Sequence, residues 1–275
     1  MPVISTIPQR PALGLACLLS LAVAMPVAAD YRAQLDLVYD DRKLATGEKG
    51  GDPGQDIFTG VGRYYFEDIV EDGSLPRSTL AFTQRASSAS IGFRDVDGFT
   101  NGSGTEFAAR AVLAGAVIAE FAYEGGEDDV ADRWSVGAGM YFAGNQAVVI
   151  SYSDISAVDD EDDREEFSAR YNGVHEASEG HTELGLEVAY SDDIDNEFTW
   201  LGEVNYYPVR NLGFGFSVGE VLSDLEGETD ILGLHLEMFP TAAFAFSLAY
   251  EFQGLDNDED FEDITTVSLG VTGRL

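Results

Sequence analysis

The chain holds three histidines, His175, His181 and His235, and a single cysteine, Cys17. Nucleophilic catalysis needs a histidine placed with a nucleophile and an orienting acid. His175 and His181 flank the short segment around Gly180, and His235 stands in the middle of an alternating aliphatic stretch. That spacing supports no hydrolase. Zinc and iron sites draw on clustered His and Cys, and the acidic runs of this chain carry neither. The runs Asp159 to Asp163 and Asp256 to Asp260 supply hard oxygens for weak calcium binding, but without the spacing of a defined calcium loop. No catalytic residue, metal site or cofactor is therefore expected, and the chain does not read as an enzyme.

The chemistry that remains is charge. Fifty acidic residues stand against 15 basic ones, a formal net charge of −35. The sign excludes nucleic acid and anionic surfaces as partners through bulk electrostatics. The acids gather in runs near Glu127, Asp159 to Glu166, Asp192 to Glu197, Asp224 to Asp230 and Asp256 to Asp263, whose simplest reading is solvated loops. A second set of charges is spread singly: Arg32, Asp36, Glu106, Arg110, Glu120, Arg133, Arg170, Glu183, Glu187, Glu203, His235, Glu237, Glu251 and Arg274, with Arg63 and Arg85 joining them. These fall on the polar faces of alternating segments. They are expected to line a pore.

The elements that position them are strands. Phe244, Phe246, Leu248, Tyr250 and Phe252 alternate with Ala245, Ser247, Ala249, Glu251 and Gln253. Leu232, Leu234, Leu236 and Met238 alternate with Gly233, His235 and Glu237. Period two with one apolar and one small polar face marks strands. No stretch after Asp30 is long and apolar enough for a spanning helix. Apolar rows ending in Tyr39, Tyr123, Tyr152, Tyr190, Tyr206 and Phe252 resemble interfacial girdles, and short turns alternate with longer acidic connections. This predicts an all-β fold, a transmembrane antiparallel up-and-down β-barrel of about 14 strands, or about 12 if one hairpin is misread. The third strand is expected over 78–94, with a bulge near Ala86-Ser87-Ser88 where its parity changes. Gly137, Gly139, Gly213, Gly215 and Gly219 are expected to leave the inner wall unobstructed.

The first 29 residues read as a cleaved signal peptide: Arg10, an apolar run from Ala12 to Ala24, and Val27-Ala28-Ala29 before Asp30. Residues 30–275 are then an outer-membrane barrel. Its partners are outer-membrane lipid and lipopolysaccharide, the barrel-assembly machinery and small hydrophilic solutes. Gly62-Arg63-Tyr64-Tyr65-Phe66, the loop Asp72-Gly73-Ser74-Leu75-Pro76 and Phe82-Thr83-Gln84-Arg85-Ala86-Ser87-Ser88 resemble the N-terminal part of the gammaproteobacterial porin family, with Ser74-Leu75-Pro76 departing from its usual turn. The resemblance implies an outer-membrane pore. The expected function is passive diffusion of small hydrophilic solutes or ions, cations preferred because the mouth is acidic. The rival expectation is a non-conducting structural or surface-interaction barrel.

Overall fold

A strand with one apolar face can bury its backbone polar groups in a membrane only if every edge is paired, which requires a closed barrel. The computed structural model, which describes residues 30–44, 54–71, 73–98, 101–128, 131–156, 163–192, 196–223, 227–256 and 263–275, has that form. Its strands are β1 (Tyr31–Leu44), β2 (Gly54–Ile69), β3 (Ser88–Asp97), β4 (Gly102–Leu113), β5 (Val117–Asp128), β6 (Arg133–Phe142), β7 (Gln146–Ile155), β8 (Arg164–Glu176), β9 (His181–Asp192), β10 (Glu197–Val209), β11 (Leu212–Ser223), β12 (Gly227–Thr241), β13 (Phe244–Asp256) and β14 (Ile264–Arg274). Each pairs antiparallel with its sequence neighbours, and β1 pairs with β14 to close the barrel. The count settles on 14 rather than 12. Residues 1–29, the expected signal, lie outside the described residues.

The outward rows are apolar and exposed all the way round. Ile91 is 69% exposed, Ile150 63%, and Leu234, Leu248 and Leu269 belong to the same belt. Cross-strand aromatics tighten it, with Tyr152 and Phe167 at 5.1 Å between ring centroids and Trp134 and Tyr152 at 5.5 Å. Tyrosines at the rims keep their hydroxyls on polar partners. Tyr39 donates to Asp56 at 2.7 Å, Tyr190 to Asn196 at 2.9 Å, and Tyr206 to the Glu179 carbonyl at 2.8 Å. This is the placement of an interfacial belt, with an apolar ring body and a wet hydroxyl.

The start of β1 and Leu275 lie at the same end of the barrel, here the turn end. Five of its six connections are brief, at 114–116, 143–145, 177–180, 210–211 and 242–243. The sixth, 70–87 between β2 and β3, is longer than any other connection in the barrel. This corrects the expected third strand. Residues 80–83 form one helical turn, α1 (Leu80–Thr83), and strand pairing begins only at Ser88. The parity change read as a bulge is the point where a non-strand segment enters β3. A real irregularity lies at the barrel's seam. The register slips between Tyr31 and Ala33, and the N–H groups of both Arg32 and Ala33 donate to Leu275 O, at 2.8 and 2.9 Å.

At the opposite end, the loop end, strands continue into the acidic runs. Glu228 and Asp230 belong to β12, and the β11–β12 connection is only 224–226. Residues 157–162, 193–195 and 257–262, which hold much of the acidic runs, lie outside the described residues.

Candidate functional site: the lumen and its floor

The described residues of the connection 70–87 pack across the turn end of the barrel and form its floor. Gly73, at φ +84, turns the chain inward. Thr79 closes the turn after Pro76, its N–H and its hydroxyl both donating to the Pro76 carbonyl, at 3.2 and 3.0 Å. Leu80 is fully buried and packs with Tyr31, Tyr65, Ile69 and Ala86. Phe82 lies against Tyr141 at 5.3 Å, beside the cluster Ile118, Ala147 and Val149. The segment therefore spans from β1 and β2 to β5, β6 and β7.

Polar contacts tie it to the rest of the rim. Arg85 donates to the carbonyls of Gly115 and Gly144, in two neighbouring turns, and its guanidinium lies 4.9 Å from the Tyr141 ring centre. On the far side of the barrel the Ser78 hydroxyl donates to Tyr207 at 3.0 Å, and Tyr207 donates to Glu183 at 3.0 Å. Glu71, whose side chain is 3% exposed, collects three arginines: Arg77 at 3.0 Å, Arg210 at 2.8 Å and Arg274 at 3.8 Å. The Arg77 N–H also donates to the Arg210 carbonyl at 3.1 Å. Arg274 donates to the Arg77 carbonyl at 3.1 Å and lies over the rings of Tyr31 and Phe239. One buried carboxylate thus latches the floor to the β10–β11 turn and to the last strand.

Three expected pore residues are accordingly placed elsewhere. Arg32 is turned by the seam irregularity onto the outer face. There its side chain, 50% exposed, pairs with Asp68 and meets Tyr64. Arg85 belongs to the floor, not to a strand. Arg274 faces inward but is sealed beneath the floor at 4% side-chain exposure.

The other expected residues stand on inward faces, and their charges segregate. On the half of the wall from β2 to β8, Arg110 and Arg170 both bind Glu120, at 2.6 and 2.9 Å. Arg133 binds Glu166. Arg170 reaches Glu120 across Ser151 and Gly137, where a Cβ would come within 2.8 Å of the Ser151 hydroxyl. Glu106 lies flat across Gly92. Arg63, on the same half, enters no ion pair among the described residues. On the half from β9 through β13 to β1, the carboxylates have neutral partners. Asp36 accepts from Gln34 at 2.8 Å and from Thr272 at 2.7 Å. Glu203 accepts from Asn205 at 2.6 Å, and Glu251 from Gln253 at 2.8 Å. Glu187 and Glu237 share this wall, with His235 two residues before Glu237 on β12. None of the six acids Asp36, Glu183, Glu187, Glu203, Glu237 and Glu251 enters an ion pair among the described residues.

The wall glycines do not simply leave space. The Tyr207 ring covers Gly213, where a Cβ would come within 2.5 Å of it. Asn205 covers Gly215 and Leu201 covers Gly219. Large inward side chains lie flat against the wall because the neighbouring strand offers no Cβ. Above the floor remains a cavity of about 520 Å³, lined by Arg63, Arg110, Arg133, Arg170, Glu120 and Glu187, by a patch of serines, and below by Ser78, Ala81 and Phe82.

Sequence reasoning missed Glu71, Arg77, Arg210, Ser78 and Tyr207. Its usable signals were the broken parity from Leu80 to Ala89 and a Gly-Ser-Leu-Pro stretch too long for a tight hairpin. Away from the lumen, oxygens of Glu220, Glu228 and Asp230 lie within 4.8 Å of one another near the loop end, on the outward parity of β11 and β12. Trp200 donates to Glu220 there at 2.9 Å.

No protein-family model and no curated sequence matches the chain. Solved structures do. The Acinetobacter baumannii outer membrane protein Omp33 is 20% identical with a TM-score of 0.65, covering 90% of this chain and 99% of that one. A bacterial polysaccharide outer membrane secretin is 10% identical with a TM-score of 0.55, covering 89% and 99%. Pseudomonas putida OprB is 8% identical with a TM-score of 0.53, covering 90% and 94%. The chain has the fold of the outer-membrane β-barrels.

Proposed function

We propose that the protein is a porin-type channel of a Gram-negative outer membrane, passing small hydrophilic solutes or ions by diffusion, with cations preferred. The observation that carries this reading is the pairing of a continuous apolar belt outside with a charged, serine-rich cavity inside one closed barrel. A chain of 14 strands is wider than the eight whose lumen side chains alone can fill. The fold shared with outer membrane protein Omp33 supports the reading, as does the resemblance of residues 58–90 to the gammaproteobacterial porin family. The first 29 residues then serve export, the barrel-assembly machinery inserts the chain, and lipid with lipopolysaccharide surrounds it. The turn end, with the start of β1 and Leu275, faces the periplasm. Cation preference follows from the acidic runs at the loop end and from six inward carboxylates without cationic partners, acting over about 8–10 Å at ordinary salt.

Reversal potentials of the purified protein in planar bilayers test this. Cation selectivity that fades as salt rises is expected; anion preference, or selectivity indifferent to salt, removes the acidic-mouth mechanism. The floor formed by 70–87 favours a second reading, a non-conducting structural or surface-interaction barrel. Absence of any current, with the floor both intact and loosened, would establish that alternative.

A further inference from the structure

We infer that the cavity above the floor is a recognition site for small zwitterions of amino-acid or dipeptide size, carboxylate on Arg63 and ammonium toward Glu187. The inference rests on the channel reading and names its solute. Arg63 sits in β2 directly across from Gln34 on one side and Ser90 on the other. It lines the cavity with Ser88 and Ser90 and has no carboxylate partner among the described residues. The other cavity arginines are committed, Arg110 and Arg170 to Glu120 and Arg133 to Glu166. Arg63 thus keeps its planar fork of N–H donors for a ligand, and a carboxylate matches that fork two bonds at a time. The serine hydroxyls beside it are further donors.

Glu187 is the complement. Its direct neighbour across β8 and β9 is Arg170, but Arg170 turns away to Glu120 at 2.9 Å. Glu187 is left exposed in the lumen, lining the same cavity as Arg63. The two unpaired charges therefore face one volume instead of neutralising each other. That volume, about 520 Å³, is of small-molecule size. Arg63 on β2 and Glu187 on β9 stand on opposite walls, seven strands apart either way round the ring, and both line this volume, so a solute inside lies between the two charges. A simple anion gains Arg63 but meets Glu187, and a simple cation meets the reverse. Only a solute carrying both signs is favoured by both walls, and selectivity is this difference.

Calorimetric titration of the full chain in detergent with glycylglycine, its cationic amide and its anionic N-acetyl form tests the site. The zwitterion is expected to bind roughly tenfold more tightly than either, the worth of one charge-assisted hydrogen bond. Arg63→Gln should weaken glycylglycine and the N-acetyl form alike. Glu187→Gln should weaken glycylglycine yet tighten the N-acetyl form, a crossing of signs that a general loss of structure does not produce. Lys43→Gln, which removes a cation paired with Asp41 at the loop end, should change none of the three. Should Arg63→Gln fail to assemble, the Glu187→Gln pair of measurements decides alone. Equal binding of the three peptides, no binding, or an unchanged order in Glu187→Gln overturns the site. Potassium chloride current measured in parallel separates the two readings: current without peptide discrimination removes only the zwitterion site, and discrimination without current removes only the channel.

Discussion

Two kinds of connection share the turn end, and they solve different problems. The turns at 114–116 and 143–145 reverse the chain in place, using left-handed backbone at Ala114 and Gly115 (φ 50 and 67) and at Ala143 and Gly144 (φ 41 and 79). They contribute little but two carbonyl oxygens. The connection 70–87 instead behaves like a fragment of a soluble protein inside a membrane barrel. It buries Leu80, makes a helical turn, accepts a hydrogen bond from Tyr141 at the Phe82 carbonyl at 3.0 Å and supplies Glu71 to three arginines. The wall follows period two and faces lipid. The floor follows ordinary core packing and faces the lumen. Changes at the floor should therefore alter passage while leaving the wall assembled.

The largest effect is expected from Glu71→Ala. Removing the carboxylate leaves Arg274 buried without a counter-charge, a loss of about 3–5 kcal/mol in comparable sites. Higher open-channel current and faster proteolysis at 70–87 are expected, with the barrel still resistant to heat in electrophoresis. Unchanged current and proteolysis would mean that the floor does not depend on this latch. Leu80→Ala comes next, at about 2–4 kcal/mol from the lost side chain and the cavity behind it. It should raise current in the same direction without altering charge selectivity. Gly213→Ala should cost about 1–3 kcal/mol by forcing the Tyr207 ring off the wall. Because Tyr207 links Ser78 to Glu183, the change should loosen the far edge of the floor, read as exchange of the Ser78 and Thr79 amides. Tyr207→Phe, removing only the hydroxyl, should give a weaker version of the same exchange pattern, about 1 kcal/mol. Smallest of all is Asp68→Asn, which breaks the exposed pair with Arg32 on the outer face. No change in current is expected; a clear change would return Arg32 to the lumen.

Strand positions were open to sequence reading wherever membrane and water imposed alternation. The alternating stretches Leu232 to Met238 and Phe244 to Gln253 fall within β12 and β13, both of which run further toward the loop end, to Gly227 and Asp256. There the acids tolerate strand pairing because they stand at the exposed margin. Facing was legible for the same reason: a charge on the lipid face costs about 2–4 kcal/mol at mid-depth, so Glu120, Arg170, Glu187 and Glu251 had only one side open to them. Arg32 escaped this logic because one extra residue at the seam reverses parity locally.

What the residues determined alone was the closed barrel and the sign of each face, since period two acts on immediate neighbours and needs no distant partner. Which arginine pairs with which acid was decided by the curvature of the wall, which lets Arg170 pass over Gly137 to Glu120 and leaves Glu187 and Arg63 unpaired. The floor, too, was a tertiary decision. Ser78 and Tyr207 are 129 residues apart, and Arg77 and Arg274 are 197 apart. Local pattern carries no trace of contacts that exist only once the fourteenth strand has closed on the first.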